Sequence, residues 1–305
     1  MRSPRKTRNN GKQKPSDPRL AASTTHFRGG PSPSIKPFRR FPFLLSIFST
    51  FAVKHFLTLL SHEIRMLLVS PSTYIAATAF LGFMGFIFVG ILENYSTAPQ
   101  DTSPAQVFFQ LFWLPVFFMV PLLTMKCLAE ERRLGTIETL LTTPVTTTEV
   151  VLGKFGAAYF LYIALWGSTG GLFYILKKFA GDPRLLDTGP LVGGYIFIAV
   201  SGLFFVSIGV LTSSLSRSQS VAGILSFVLL AAVIIGGRYL GTMAVLDRES
   251  LRPLKEAVDY AQVFAHYDDF TRGVINARQL LFYFSGAVLA LIFSIFAVEA
   301  KVLHS

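Results

Sequence analysis

The sequence predicts an all-α membrane protein. Six transmembrane helices follow an N-terminal amphipathic helix in the membrane interface, and one short helix lies on the cytoplasmic side between the second and third spans. Three observations predict this. Mean hydropathy is +0.52, with 51% hydrophobic and 15% charged residues, whereas a soluble domain carries about 25% charged residues. Six uncharged runs are each long enough to cross the hydrocarbon, which takes about 20 residues at roughly 1.5 Å each. Between the second and third runs stands EERRLGTIETLLTTPVTTTEV (130–150), a charged, threonine-rich stretch that leaves the membrane and returns.

The net charge of +11 is concentrated at the N-terminus: residues 1–40 hold 11 Lys+Arg against one acid, Asp17, while the remainder carries 17 basic and 16 acidic residues. This location argues against a nucleic-acid partner, which would need the charge spread over a folded surface. Residues 1–52 are rich in Pro, Ser and Gly and read as a disordered basic tail that touches anionic lipid, or as a transit peptide. A third reading places the translation start at Val53, from a GTG codon; a peptide from residues 1–52 in mass spectrometry would exclude it. The apolar run 41–53 is too short to count as a span.

Over residues 53–68, Val53, Phe56, Leu57, Leu60, Ile64, Leu67 and Leu68 recur at three- and four-residue steps, with Lys54, Thr58, Ser61, His62 and Arg65 on the other face. This is the pattern of an amphipathic helix in the interface, assigned to 53–70. Ser70-Pro71 breaks it and turns the chain into a six-span domain, 71–300. The spans are expected at about 73–92, 107–126, 155–176, 190–214, 219–237 and 280–298. Gly82/Gly85 and Gly167/Gly171 supply small-residue spacing for helix packing, within or between chains. The aromatic set Phe108, Phe109, Trp113, Phe117 and Phe118 suits either lipid or a hydrophobic cargo.

Lysines and arginines mark the cytoplasmic side. The connection 93–106 has none and is placed outside; 127–154 carries Arg132, Arg133 and Lys154 and is placed inside with both termini. Lys177, Lys178 and Arg184 in 177–189 run against the rule. The segment 238–279 is charge-balanced and is placed outside by alternation.

No span holds Asp, Glu, Lys, Arg or His away from its ends, which disfavours a proton- or ion-coupled secondary carrier. The phosphate-binding pattern G-x-x-x-x-G-K-[ST] is absent, since Gly153-Lys154 is followed by Phe155. No ATP site is expected on this chain. HExxH is absent too, and the single cysteine, Cys127, excludes a disulfide within the chain and a cysteine-based metal site. Glu130-Glu131 resembles the paired glutamates of intramembrane CAAX proteases, but Gly135 stands where that motif has arginine, and a catalytic role is not expected.

Within 130–150, Leu134-Gly135 interrupts the helix from the second span. Thr136 can cap a new helix whose first turn carries Glu138. Ile137, Leu140 and Leu141 share one face, Pro144 stops the helix, and Thr146 with Glu149 reads as a capping box for the next. The result is a short transverse helix that presents an apolar knob to a partner's groove. The alternative is that Glu130, Glu131, Arg132 and Arg133 only solvate a helix end while the apolar face rests on headgroups.

The run AEERRLGTIETLLTTPVTTTEVVLGKF resembles the cytoplasmic coupling segment of ABC-2 type transporter permeases, an E-E-[KR]-R-x-G-T-[IL]-E-x-L-L-x-x-P core before a [LV]-x-G-K-F/Y start to the third span. Matching positions are Glu130, Glu131, Arg132, Arg133, Gly135, Thr136, Ile137, Glu138, Leu140, Leu141, Pro144, Gly153, Lys154 and Phe155. HEIRMLLVSPSTYIAATAF, with Ser70, Pro71 and Tyr74, resembles the family's lead-in to the first span, and SSLSRSQSVAGILSF its turn between spans four and five. HYDDFTRGVINARQLLFYFS is similar to the external segment of the gliding-motility-associated and copper-processing subgroup.

The resemblance covers about 53–300. It implies the permease subunit of an ABC exporter in a bacterial plasma membrane, acting as a homo- or heterodimer with two copies of a separate ATP-binding subunit, and leaving room for an auxiliary membrane protein. ATP and Mg would sit on the partner, with no cofactor on this chain. Residues 136–143 would be the coupling helix, oriented by charge pairs from Glu138 and the 130–133 cluster. The competing functions are a secondary carrier and a membrane scaffold or force-transmitting subunit.

Overall fold

The computed structural model describes residues 56–97, 102–135, 146–179, 187–241 and 252–302. Among these residues there is no strand. The predicted helix at 136–143 and the tail 1–52 lie outside the described residues.

Helix α1 (residues 56–69) ends at Ser70, and Pro71, which has no N–H to leave unsatisfied, opens α2 (Pro71–Thr97). Next come α3 (Pro104–Gln110), α4 (Trp113–Thr124), α5 (Ala129–Leu134), α6 (Thr147–Ser168), α7 (Gly170–Phe179) and α8 (Thr188–Leu215). Then α9 (Gln219–Ala231) runs through a π-helical segment (Ala232–Gly236) into α10 (Gly237–Gly241), and α11 (Arg252–Tyr260), α12 (Val263–Thr271) and α13 (Ala277–Val302) follow. Among the described residues, six helices have the length and apolarity to cross a membrane: Pro71–Thr97, Trp113–Leu134, Thr147–Phe179, Thr188–Leu215, Gln219–Leu240 and Ala277–Ala300. Each contains most of one predicted span.

The second span differs in detail. The sequence predicts one helix over 107–126, but Ser103 caps a separate α3, with its side chain accepting from the Gln106 N–H, and the chain turns at Leu111-Phe112 before α4 begins. A hydropathy run cannot register this turn, because every residue in it is apolar. Phe108, Phe109 and Phe112 are fully buried there, Phe117 nearly so, and only Phe118 is exposed among the aromatics read from this span.

Helix α8 is the centre of the described helices. In its most apolar window 67% is buried, against 28% in each of the first and fifth spans. Close approach is made possible by glycines: a Cβ on Gly194 would meet the Phe109 ring at 2.3 Å, on Gly202 the Tyr162 ring at 2.3 Å, and on Gly209 the Thr124 hydroxyl at 2.3 Å. The glycines singled out from spacing behave differently. Gly82, Gly85, Gly167 and Gly171 would have nothing within 4 Å of an added Cβ, so their faces are open among the described residues.

At the end opposite α5, α12 packs on α8 around Phe112, Phe197, Tyr267, Phe270 and Tyr283. Tyr267 donates its hydroxyl proton to the Gln106 carbonyl, and the buried His266 Nδ1 lies 3.1 Å from the Tyr283 hydroxyl. Burial holds the Tyr267 phenol above its ordinary range and the His266 imidazole below its ordinary 6.5.

Candidate functional site

The site begins where the second span breaks. After Thr124 the chain turns through Met125–Leu128, and the N–H groups of Leu128 and Ala129, which a helix start leaves unsatisfied, donate to the Ser213 hydroxyl of α8 at 3.0 and 3.1 Å. Ser213 in turn donates to the Met125 carbonyl at 3.3 Å. The helix start is thereby stitched to α8 by one buried serine.

Helix α5 carries the four charges of the motif, and successive residues point about 100° apart. Arg133 is exposed and Glu130 half-buried. The middle two turn inward. Arg132 donates from Nη2 to the Ala297 carbonyl of α13 at 3.1 Å, and Glu131 reaches the third span. Gly135 then ends α5 at φ +70°, donating its N–H back to Arg132 and Glu131 carbonyls. That left-handed position explains the glycine in Leu-Gly-Thr, because a Cβ would be strained there.

Beyond the gap, Thr146 and Glu149 form the predicted capping box: the Glu149 N–H donates to Thr146 Oγ1 at 3.2 Å, and the Thr146 N–H to Glu149 Oε2 at 2.9 Å. Two turns into α6 stands Gly-Lys-Phe. The Lys154 ammonium lies 2.6 Å from Glu131 Oε1 and 3.0 Å from Glu63 Oε1 of α1. Its side chain is 6% exposed, with Glu63 at 15% and Glu131 at 19%.

The glycines beside this lysine have their own use. A Cβ on Gly153 would press on Leu59 at 3.2 Å, and one on Gly156 would reach Leu60 at 2.9 Å. Small residues on α6 therefore let α1 settle against it, and Leu59, Leu60 and Glu63 form the seated edge. Leu57 and Leu68, read from periodicity as part of one apolar face, are 55% and 43% exposed.

Of the residues expected to form the site, Glu130, Glu131, Arg132, Arg133 and Gly135 lie at the end of α5. Thr136, Ile137, Glu138, Leu140, Leu141 and Pro144 lie outside the described residues. The structure adds Glu63, Lys154 and Ser213. Lys154 was visible as part of the G-K-F motif. Glu63 and Ser213 each lie in a run that resembles the family, HEIRMLLVSPSTYIAATAF and SSLSRSQSVAGILSF, but nothing in either run marked the individual residue. A lysine ammonium held between two carboxylates has no lone pair with which to act as a base, and the arrangement is a joint between three helices. Among the described residues no group of three or more His, Cys, Asp and Glu side chains is placed to hold a metal ion.

Residues 57–303 match the family described as ABC-2 family transporter protein. The chain is also similar to the probable multidrug ABC transporter permease YbhR of Escherichia coli strain K12, with 27% identity over 159 residues. The protein of that name from Escherichia coli O157:H7 matches at the same identity. The aligned part is 51% of this chain and 39% of each relative, so the chain spans about two-fifths of the length of the curated relatives it matches. Because the family match takes in all six membrane-crossing helices and each element that meets at Lys154, the chain belongs to the ABC-2 family of transporter membrane proteins.

Proposed function

We propose that this chain is the permease subunit of an ABC-2 exporter, in which the segment from Glu130 to Pro144 receives the stroke of a separate ATP-binding subunit. The observation that carries the reading is the Lys154 joint. The helices on either side of residues 136–145 are α5 and α6, and Lys154 locks both to α1 through Glu131 and Glu63. Arg132 extends the connection to α13, and Ser213 to α8. A push on the intervening segment is thus delivered to several spans together.

In this mechanism residues 136–143 form a coupling helix that enters the partner's cleft, with Ile137, Leu140 and Leu141 as its apolar contact and Glu138, Glu130 and Arg133 as charge pairs at the rim. ATP and Mg reside on the partner, and its closure tilts the spans. The functional unit contains two permease copies and two ATP-binding subunits in a bacterial plasma membrane, with both termini and 130–150 cytoplasmic and 238–279 extracytoplasmic. The sequence from His266 to Ser285 supports placement in the gliding-associated and copper-processing subgroup.

A disulfide test addresses the central claim. With Cys127→Ser as background, cysteine is placed at Ile137 or Leu140, and a single cysteine is scanned along the groove of an ATP-binding subunit encoded beside this chain. Crosslinks whose yield changes with ATP are expected. If no groove position crosslinks while both proteins are expressed and folded, the segment is a solvated helix connection and the coupling proposal fails.

A further inference from the structure

The π-helical segment of the fifth span has no part in the joint at Lys154, which lies at the other end of the molecule. A π-turn holds one residue more than an α-turn, is uncommon, and often accompanies a binding site. Here it ends at Gly236 and is followed by Gly237 and Arg238, and it stands beside a cavity of ≈ 320 Å³ lined by Trp113, Ile235, Arg238, Tyr239 and Phe264. The lining comes from three elements: the start of α4, the π segment with α10, and the start of α12.

The lining has a definite chemical character. Trp113, Phe264 and Tyr239 supply aromatic walls, and Ile235 an aliphatic one. The Arg238 guanidinium lies over the Phe264 ring, 5.2 Å from its centroid. Arg238 forms no ion pair among the described residues. An acid that feels its charge is Asp268 on α12. Burial raises the Asp268 carboxyl above its ordinary value, against the opposing pull of Arg272 and Arg238. Asp269, its neighbour, is engaged by Gln279 at 2.7 Å.

Position adds a second constraint. Trp113 opens the Trp113–Leu134 membrane helix and Tyr239 stands one residue before the end of Gln219–Leu240, so the cavity lies at the rim of the apolar zone, where tryptophan and tyrosine meet headgroups. Its size is at the lower end for sites that take small organic ligands. A free anion would use the guanidinium but not the walls, and an uncharged hydrocarbon would use the walls but not the guanidinium. An amphiphile with an acidic head uses both.

We infer that this cavity binds one phospholipid with a net-negative headgroup, its phosphate on Arg238 and its upper acyl chain against Trp113, Ile235 and Phe264. The inference needs the chain to span a membrane and is independent of the coupling proposal, so either can fail alone.

Trp113 is a ready reporter, because the only other tryptophan, Trp166, is deep in the core. The full chain carrying Trp166→Phe is placed in nanodiscs with brominated phosphatidylglycerol or brominated phosphatidylcholine. Quenching of Trp113 is expected to show about a fivefold preference for the acidic lipid, the worth of one basic side chain at an acidic membrane surface. Arg238→Gln should remove the preference, and excess inorganic phosphate should not displace the lipid. Equal quenching by both lipids, an unchanged preference in Arg238→Gln, or displacement by phosphate alone would each overturn the inference. Native mass spectrometry of the otherwise unaltered chain and its Arg238→Gln variant gives the same comparison without touching Trp166: retention of the acidic lipid should fall in the variant, and equal retention refutes the site.

Discussion

Replacing Lys154 by methionine keeps the length and stem of the side chain and removes only the ammonium between Glu63 and Glu131. At an effective dielectric of about 20, unit charges 3 Å apart attract by roughly 5 kcal/mol. Two such contacts at 2.6 and 3.0 Å are offset by the desolvation of three ions at several kcal/mol each. The intact joint therefore adds little net stability, but losing one member is costly. Breaking a buried ion pair from one side costs about 3–5 kcal/mol, because the surviving charge stays where water is scarce. Glu63 and Glu131 are 15% and 19% exposed, which admits some water and places the expected cost near the lower value, about 3 kcal/mol.

For a domain of this size each kcal/mol shifts the midpoint by about 2–4 °C, so Lys154→Met should lower the apparent Tm in detergent by roughly 6–12 °C. The triple variant Lys154→Met, Glu63→Gln, Glu131→Gln has no stranded charge and should recover most of that loss. Under the proposed coupling, ATP-driven function with an ATP-binding subunit should stay impaired, since α1 is no longer locked to α5 and α6. An unshifted Tm in the single variant, or a triple variant no more stable than the single, would refute the electrostatic account of the joint.

Gly202→Ala should cost about 1–3 kcal/mol by driving a methyl group into the Tyr162 ring, whereas Gly82→Ala, with open space around it, should be neutral or gain up to about 1 kcal/mol from helix propensity; chemical or thermal unfolding of both variants checks the contrast. The imidazole of His266 is held below 6.5, first by burial, against a backbone hydrogen bond at Tyr260 and the charge of Asp269. Between its folded value and 6.5 the unfolded chain binds the proton and the folded chain does not, so stability is lost as pH falls from 6.5. The apparent Tm of His266→Gln should fall less than that of the parent over the same acid range, and parallel curves would rule out His266 as a source of the slope.

The six spans, the break at Ser70-Pro71, the Thr146–Glu149 cap and the end of α5 at Gly135 follow from local rules: an apolar run of sufficient length, a missing N–H, a side chain three residues from its target, a residue without Cβ. Each depends on a few neighbours in sequence, so the sequence by itself determined them. The charged run at 130–133 was equally legible as a distinctive segment. Which of its charges face inward was not, because that depends on where α6 and α13 stand. Lys154 finds Glu63 across 91 positions and Glu131 across 23, and Arg132 finds the Ala297 carbonyl across 165. No periodicity carries such information. Glycine shows the same division. Gly82 and Gly202 look alike in a hydropathy plot, yet one faces open space and the other touches Tyr162. Only the tertiary structure decides this, since the consequence of a missing side chain depends on what another helix places in its room.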